Sequence, residues 1–264
     1  MLKIIFKEEI LTQLEAFRIA KGKPVLVHSS LRAIGAIEGG AETLLSALRE
    51  YFAADQGLLC VPTHTWDGNG MDLRKPKSCL GALPTVAAGH PQGVRSLHPT
   101  HSMAVFGEEK KVREFVQDEV TVDTPTGPDG CYGKLYTDDG YVLLIGVGHD
   151  KNTFIHCVEE MLGVPNRLTE DKTERYIIHL DGHVEERLLH WFDEEKIPDV
   201  SVYFGKFEPA FRYHGCILDG MLGNAKVQLC SAVKMKEVLE LIYCRSQGME
   251  LLADDLPLEE ALYK

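Results

Sequence analysis

The chain has 264 residues, 44% of them hydrophobic and 26% charged, which excludes a disordered or fibrous protein and allows a sizeable core. Forty acidic residues against 28 basic ones give a formal charge of −12, which argues against a nucleic-acid partner and favours cationic small molecules. Seven scattered cysteines without a CxxC pair point to neither a disulfide framework nor a zinc knuckle and fit a reducing compartment.

Ile10, Leu11, Leu14 and Phe17 recur at helical spacing and predict a helix near residues 7–20, ending at Lys21-Gly22. Lys3, Lys7, Glu8 and Glu9 interrupt the apolar residues here, and no apolar run approaches the roughly 18 residues of a membrane span. A cytoplasmic protein without a signal segment or membrane contact is therefore expected. Pro24-Val25-Leu26-Val27 reads as a buried strand, followed by the loop HSSLRAIGAIEGG, a helix near AETLLSALREYF and a second strand, GLLCVPT. Residues 64–81 are rich in Gly, Asp, Lys and Pro and read as a long functional loop. A short helix (ALPTVAAGH), a strand (HSMAVFG), a charged helix (EEKKVREFVQDE), a turn-rich stretch (DTPTGPDGCYGK) and a strand (YVLLIGVG) follow. Asp181-Gly182 between ERYIIHL and HVEERLLHW is a hairpin signal, and Ser231 is placed to cap a last helix, AVKMKEVLELIYCRS. The expected fold is α/β, one domain over residues 1–264, with a central mixed sheet flanked by helices and an antiparallel hairpin excursion in the C-terminal third.

His28, His64, His98, His101 and His149 fall in polar loops at predicted strand ends, where α/β sheets place their sites, and His156 opens a helix. HExxH is absent, and no carboxylate stands at a diagnostic spacing from two of these histidines, so no metal is expected. His156 and Glu159 stand at i, i+3 on one helical face, where the carboxylate can orient the imidazole and stabilise its cation, as a general base requires. The same spacing also suits an exposed helix pair. His28-Ser29-Ser30-Leu31-Arg32 sets hydroxyls and a cation before a helix, an arrangement for holding an anion or simply a turn and a cap. Cys157 points about 100° away from His156 on a helix and reads as a buried structural thiol. Trp66 and Asp67 offer a ring and an acid to a cationic ligand, or ordinary loop packing. GxxxxGK[ST], GxSxG and GxGxxG are all absent, which lowers the P-loop, α/β-hydrolase and dinucleotide readings.

The segments VLVHSSLRAIGAIEGGAETLLSAL, LCVPTHTW, RSLHPTHSMAVFG, DTPTGPDGCYGKL and VLLIGVGHDKNTFIHCVEE, taken together and in order over about residues 24–167, resemble the aminoglycoside 3-N-acetyltransferase family, the antibiotic N-acetyltransferases. The resemblance implies the mixed-sheet α/β fold of that family, acetyl-coenzyme A as donor, and an amino group of a 2-deoxystreptamine antibiotic, the 3-amino group, as acceptor, hence antibiotic resistance. It implies that His28, Ser29, Ser30, Leu31 and Arg32, with Arg95, Ser96, His98 and Ser102, face coenzyme A. It further implies His156 as the base, with Glu159 behind it, and Trp66, Asp67 and Glu159 on the acceptor side. Asp67 is matched by its place after PTHTW. An N-acetyltransferase acting on a different small amine, or a histidine-assisted hydrolase, is the alternative.

Overall fold

The computed structural model describes residues 4–66, 68–248, 251–252 and 254–264. Its centre is a seven-stranded sheet in the order Ile217–Leu222, Ala225–Ser231, Tyr141–Ile145, Pro24–Ser29, Leu58–Pro62, Met103–Phe106, Val94–Arg95. The three middle strands are parallel to one another and all other pairings are antiparallel, so the sheet is mixed. The parallel strands are continuous apolar runs because both faces are covered. Val25, Val27, Leu59, Val61, Leu143 and Ile145 point to one face and share a core with Leu44, Leu45 and Leu48 of the helix Gly40–Phe52. The alternating residues Leu26, Cys60, Val142 and Leu144 point to the other face, toward Phe154, Ile155 and Met235. That second layer contains the helices Cys131–Thr137, Thr153–Leu162 and Ala232–Arg245.

Three local features depart from the sequence reading. The hairpin around Asp181-Gly182 forms, with Ile178 opposite Val184, but it stands outside the central sheet. Its first strand, Thr173–Ile178, pairs in parallel with Gly70–Asp72, a short strand inside the long loop. The central sheet owes its antiparallel C-terminal edge instead to a second hairpin, Ile217–Leu222 with Ala225–Ser231, which turns at Gly223 (φ +58°). The stretch predicted as turns becomes helical at Cys131, because the buried Glu119 carboxylate accepts from the Cys131 amide at 2.6 Å and so caps the helix from twelve residues upstream. Asn152 stands at the N-cap of Thr153–Leu162 without capping it. Its amide instead reaches His149 Nδ1 at 3.1 Å and Met235 Sδ at 3.6 Å.

Candidate functional site

The carboxyl ends of the three parallel strands meet along one edge of the sheet, the place where open α/β sheets leave a crevice. Pro24–Ser29 delivers His28 and Ser29 there, Leu58–Pro62 delivers His64, and the turn after Tyr141–Ile145 leads into the helix that carries His156. Gly146 makes that turn at φ +65°, and a Cβ on it would meet the Ala33 Cβ at 2.4 Å, so only glycine lets the chain fold back across the strand ends.

These residues wall a cavity of about 610 Å³, within the range of roughly 300–1,000 Å³ usual for small-molecule sites. His28, Ser29, Pro62 and His64 form its floor, Asn152, Thr153 and His156 one side, and Trp66, Trp191 and Phe192 an aromatic rim. Asp150, Glu194 and Asp199 bring carboxylates to the mouth, and Lys151 pairs with Asp150 at 2.9 Å. Several buried polar atoms in the wall have no hydrogen-bond partner, namely His28 Nε2, Ser29 Oγ, His64 Nδ1 and Asn152 Oδ1. Orphaned buried polar atoms are rare and costly in folded proteins, and water or a bound polar group is what satisfies them. A second cavity, of about 450 Å³, lies on the other side of Glu159. Three of its four acids are already engaged: Glu160 by Thr124 and Thr126, Asp123 by Lys172, and Glu159 by Arg167.

His156 and Glu159 are not an exposed pair. Their side chains are 11% and 7% accessible, and His156 Nδ1 lies 3.6 Å from Glu159 Oε2. The other carboxylate oxygen accepts from Arg167 Nε at 2.7 Å. One buried carboxylate thus faces a histidine and an arginine, and its bond to Arg167 fixes its position. The His156 ring stacks on Phe192 with centroids 4.3 Å apart and meets the edge of Phe204 at 4.7 Å. With Nδ1 turned to the carboxylate, Nε2 is the nitrogen left for the cavity. A histidine held this way can take a proton from a bound group and be stabilised as a cation. Burial pushes the Cys157 thiol well above its ordinary range, so this neighbour stays protonated and inert.

The remaining expected residues divide sharply. Ser30 Oγ accepts from the Ala33 amide at 3.3 Å and caps the short helix Leu31–Ile34. Leu31 packs against the core, and Arg32 is exposed outside the cavity lining. Arg95 donates to Thr63 O, Thr63 Oγ1 and Ser102 Oγ, and burial lowers its guanidinium to about 10. Ser96 Oγ accepts from the Met103 amide, and Ser102 Oγ donates to Thr63 O. His98 accepts from the amides of Thr100 and His101 on Nδ1 and donates from Nε2 to Thr124 O at 2.9 Å. These four side chains brace the wall from behind and do not line the cavity. Trp66 lines it and is 44% exposed; Asp67 lies outside the described residues. The sequence reading missed Arg167, Trp191, Phe192, Glu194 and Asp199, all of which reach the site through tertiary packing of the C-terminal third. Among the described residues no group of three His, Cys, Asp or Glu side chains is placed to hold a metal ion, and no helix is long and apolar enough to cross a membrane.

Residues 26–242 match the family model described as aminoglycoside 3-N-acetyltransferase. An aminoglycoside N(3)-acetyltransferase IV of Salmonella is 32% identical over 164 residues, covering 60% of each chain. The chain spans 64% and 60% of the lengths of two curated relatives that it matches. Among solved structures, a mutant of aminoglycoside acetyltransferase AAC(3)-IVa in complex with gentamicin superposes with a TM-score of 0.78 at 25% identity, covering 94% of this chain and 91% of that one. AAC-IIIb, as a binary complex with CoASH, shares the fold with a TM-score of 0.77 at 20% identity over 93% and 98% of the two chains. With a family model that matches most of its length, the chain belongs to the aminoglycoside 3-N-acetyltransferase family.

Proposed function

We propose that the chain is an N-acetyltransferase that moves the acetyl group of acetyl-coenzyme A to an amine, the 3-amino group of a 2-deoxystreptamine aminoglycoside. The observation that carries this reading is the placement of His156, set between the polar side chains of the cavity wall and the buried Glu159 carboxylate. His156 Nε2 takes a proton from the acceptor nitrogen, and Glu159 stabilises the resulting imidazolium. The nitrogen lone pair forms a bond to the thioester carbonyl carbon, the carbonyl π electrons move to oxygen, and their return breaks the C–S bond. The proton held by His156 passes to the departing thiolate. In this reading His28 and Ser29 hold the pantetheine end of the donor, while residues 95–102 keep the Thr63-His64 segment in place. Asp150, Glu194 and Asp199 receive the ammonium groups of the acceptor, together with the Trp66 ring. No acyl-enzyme is needed, which accords with a protonated Cys157.

Incubation of the protein with acetyl-coenzyme A and a panel of amines, following free thiol and product mass, tests the proposal. Thiol release that depends on a deoxystreptamine aminoglycoside, with one acetyl group added to it, is expected. Acetylation of another amine alone moves the substrate assignment. Thiol release to water at the same rate without any amine replaces the transferase with a hydrolase.

A further inference from the structure

One buried histidine of the cavity wall has no part in the chemistry described above. His64 is fully buried in that wall, with Nδ1 unpartnered. Its other nitrogen, Nε2, lies 2.7 Å from the Tyr132 hydroxyl. Thr153 stands one helical turn before His156, on the cavity side of the helix. With the Tyr132 hydroxyl as the donor in this bond, His64 Nε2 is the acceptor. A neutral imidazole that accepts on one nitrogen carries its proton on the other. In that tautomer His64 presents Nδ1–H as a donor without an acceptor.

Its position is fixed from three sides. Its carbonyl accepts from the Cys79 amide at 3.0 Å and the Ser78 hydroxyl at 3.1 Å. The neighbouring amides Thr63 N and Thr65 N bond to Ser102 O and Thr100 O. The ring lies against His101 and Trp66, with centroids 4.5 and 4.7 Å away, and His101 in turn meets Phe192, the ring on which His156 stacks. A donor that cannot move or reorient is the kind that stabilises a developing charge at little reorganisation cost.

Resting on the transferase reading above, we propose that His64, as a neutral imidazole, donates Nδ1–H to the thioester oxygen as it becomes an oxyanion. His156 and His64 then divide the work: one moves the amine proton, and the other holds the electron pair displaced from the carbonyl until the C–S bond breaks. Burial, and then the nearby His28, His98 and His156, hold His64 well below its ordinary range, so it remains neutral while His156 carries the proton. Neutral imidazole is a competent electrophile toward a carbonyl.

The test compares His64→Ala, His64→Asn and Tyr132→Phe with the wild type. It reads kcat, KM for acetyl-coenzyme A, and the carbonyl carbon resonance of a bound ketone analogue in which methylene replaces the thioester sulfur. His64→Ala is expected to lower kcat about 10²- to 10³-fold, the loss typical of one oxyanion donor, with KM changed less than about threefold and the carbonyl resonance shifted upfield. His64→Asn keeps an N–H near the Nδ1 position and recovers to within about tenfold of the wild type. Tyr132→Phe frees the tautomer, lowers kcat about tenfold and moves the carbonyl resonance partway upfield. A His64→Ala kcat within about threefold of the wild type, or an unmoved carbonyl resonance, overturns the role. If His64→Ala does not fold, an unmoved resonance in Tyr132→Phe decides the matter the same way. A wild-type protein that releases no thiol with any amine overturns the transferase reading and this role with it, whereas normal wild-type turnover retained in His64→Ala overturns this role alone.

Discussion

Residues 95–102 and the helix Thr153–Leu162 border the same edge of the sheet and contain the same kinds of polar side chain, yet they dispose of their polar atoms in opposite ways. In residues 95–102 every hydrogen bond described above runs inward: Arg95 to Thr63, Ser96 to Met103, His98 to Thr124 and to two amides, Ser102 to Thr63. In the helix, His156 reaches only a carboxylate 3.6 Å away, and Asn152 Oδ1 just before it has no partner at all. Satisfied polar atoms stabilise the fold, whereas unpartnered ones that line a cavity are open to a bound group. The difference teaches that residue type and position in a motif do not tell which polar side chains around the cavity brace its wall and which are left facing it.

The helix side of this comparison makes the largest prediction. His156→Ala is expected to lower kcat by about 10²- to 10⁴-fold, the range for loss of a general base. Its affinity for coenzyme A, read by calorimetry, should change less than about threefold. Near-normal turnover in this variant would place His156 with the scaffold and collapse the distinction.

The histidines as a group give the next effect, read as stability against pH. Burial lowers His28 to about 3 and His149 to about 4, and pushes His98, His64 and His101 down as well. In the unfolded chain each titrates near 6.5, so below that pH the unfolded state binds protons that the folded state refuses. The stability these groups contribute is complete above about pH 6.5 and is lost as pH falls, toward 4 for His149 and toward 3 for His28. Thermal melting in buffers between pH 7.5 and 4.5 should show Tm falling steeply below 6.5 with net proton uptake on unfolding. A flat profile across that window would show that these rings accept protons in place.

The contrast also marks what was readable from the chain. The parallel strands were, because Val25-Leu26-Val27 and the run Tyr141–Ile145 are uninterrupted apolar segments bounded by loops. The His156 and Glu159 pair was, because a helical i, i+3 spacing survives any tertiary context. Arg167, which grips Glu159, was not, since it lies beyond the helix end at Gly163 and returns only through packing. Ser29 and Ser30 are adjacent and chemically identical, but one hydroxyl caps a helix while the other is left unpartnered; only the backbone direction decides which. Helix capping at Cys131 by Glu119, and the strand Gly70–Asp72 recruited by a hairpin a hundred residues later, are likewise non-local.

A smaller change tests the scaffold side. His98→Ala leaves the Thr100 and His101 amides and the Thr124 carbonyl without their partner, inside the fold. At about 1 kcal/mol or more for each orphaned group, the loss is about 2–4 kcal/mol, or roughly 5–12 °C in Tm for a chain of this size. Turnover per folded molecule and KM for acetyl-coenzyme A should stay within about threefold of the wild type. His98→Asn, which keeps an acceptor for the amides, should recover part of the stability. A variant that melts normally but loses coenzyme A affinity would return His98 to the donor-binding role that the motif implies.

The smallest effect concerns the mouth of the cavity, where recognition works through charge rather than through buried bonds. Glu194 and Asp199 are exposed, and Asp150 is partly so, on a chain of net charge −12. Exposed charges act over a distance set by salt, about 10 Å at 0.1 M and about 3 Å at 1 M. A polycationic acceptor should therefore show KM rising severalfold between roughly 0.1 M and 1 M salt, while kcat, governed by the buried His156 and Glu159, changes little. Combined Glu194→Gln and Asp199→Asn substitution should remove most of that dependence by raising the low-salt KM, since the attraction that salt screens is then already gone. Acetyl-coenzyme A supplies the internal control, because its phosphates gain nothing from these carboxylates and its KM should not rise with salt. If the double variant keeps the full salt dependence, the acceptor is drawn by the overall charge of the chain, and the carboxylates at the mouth do not select it.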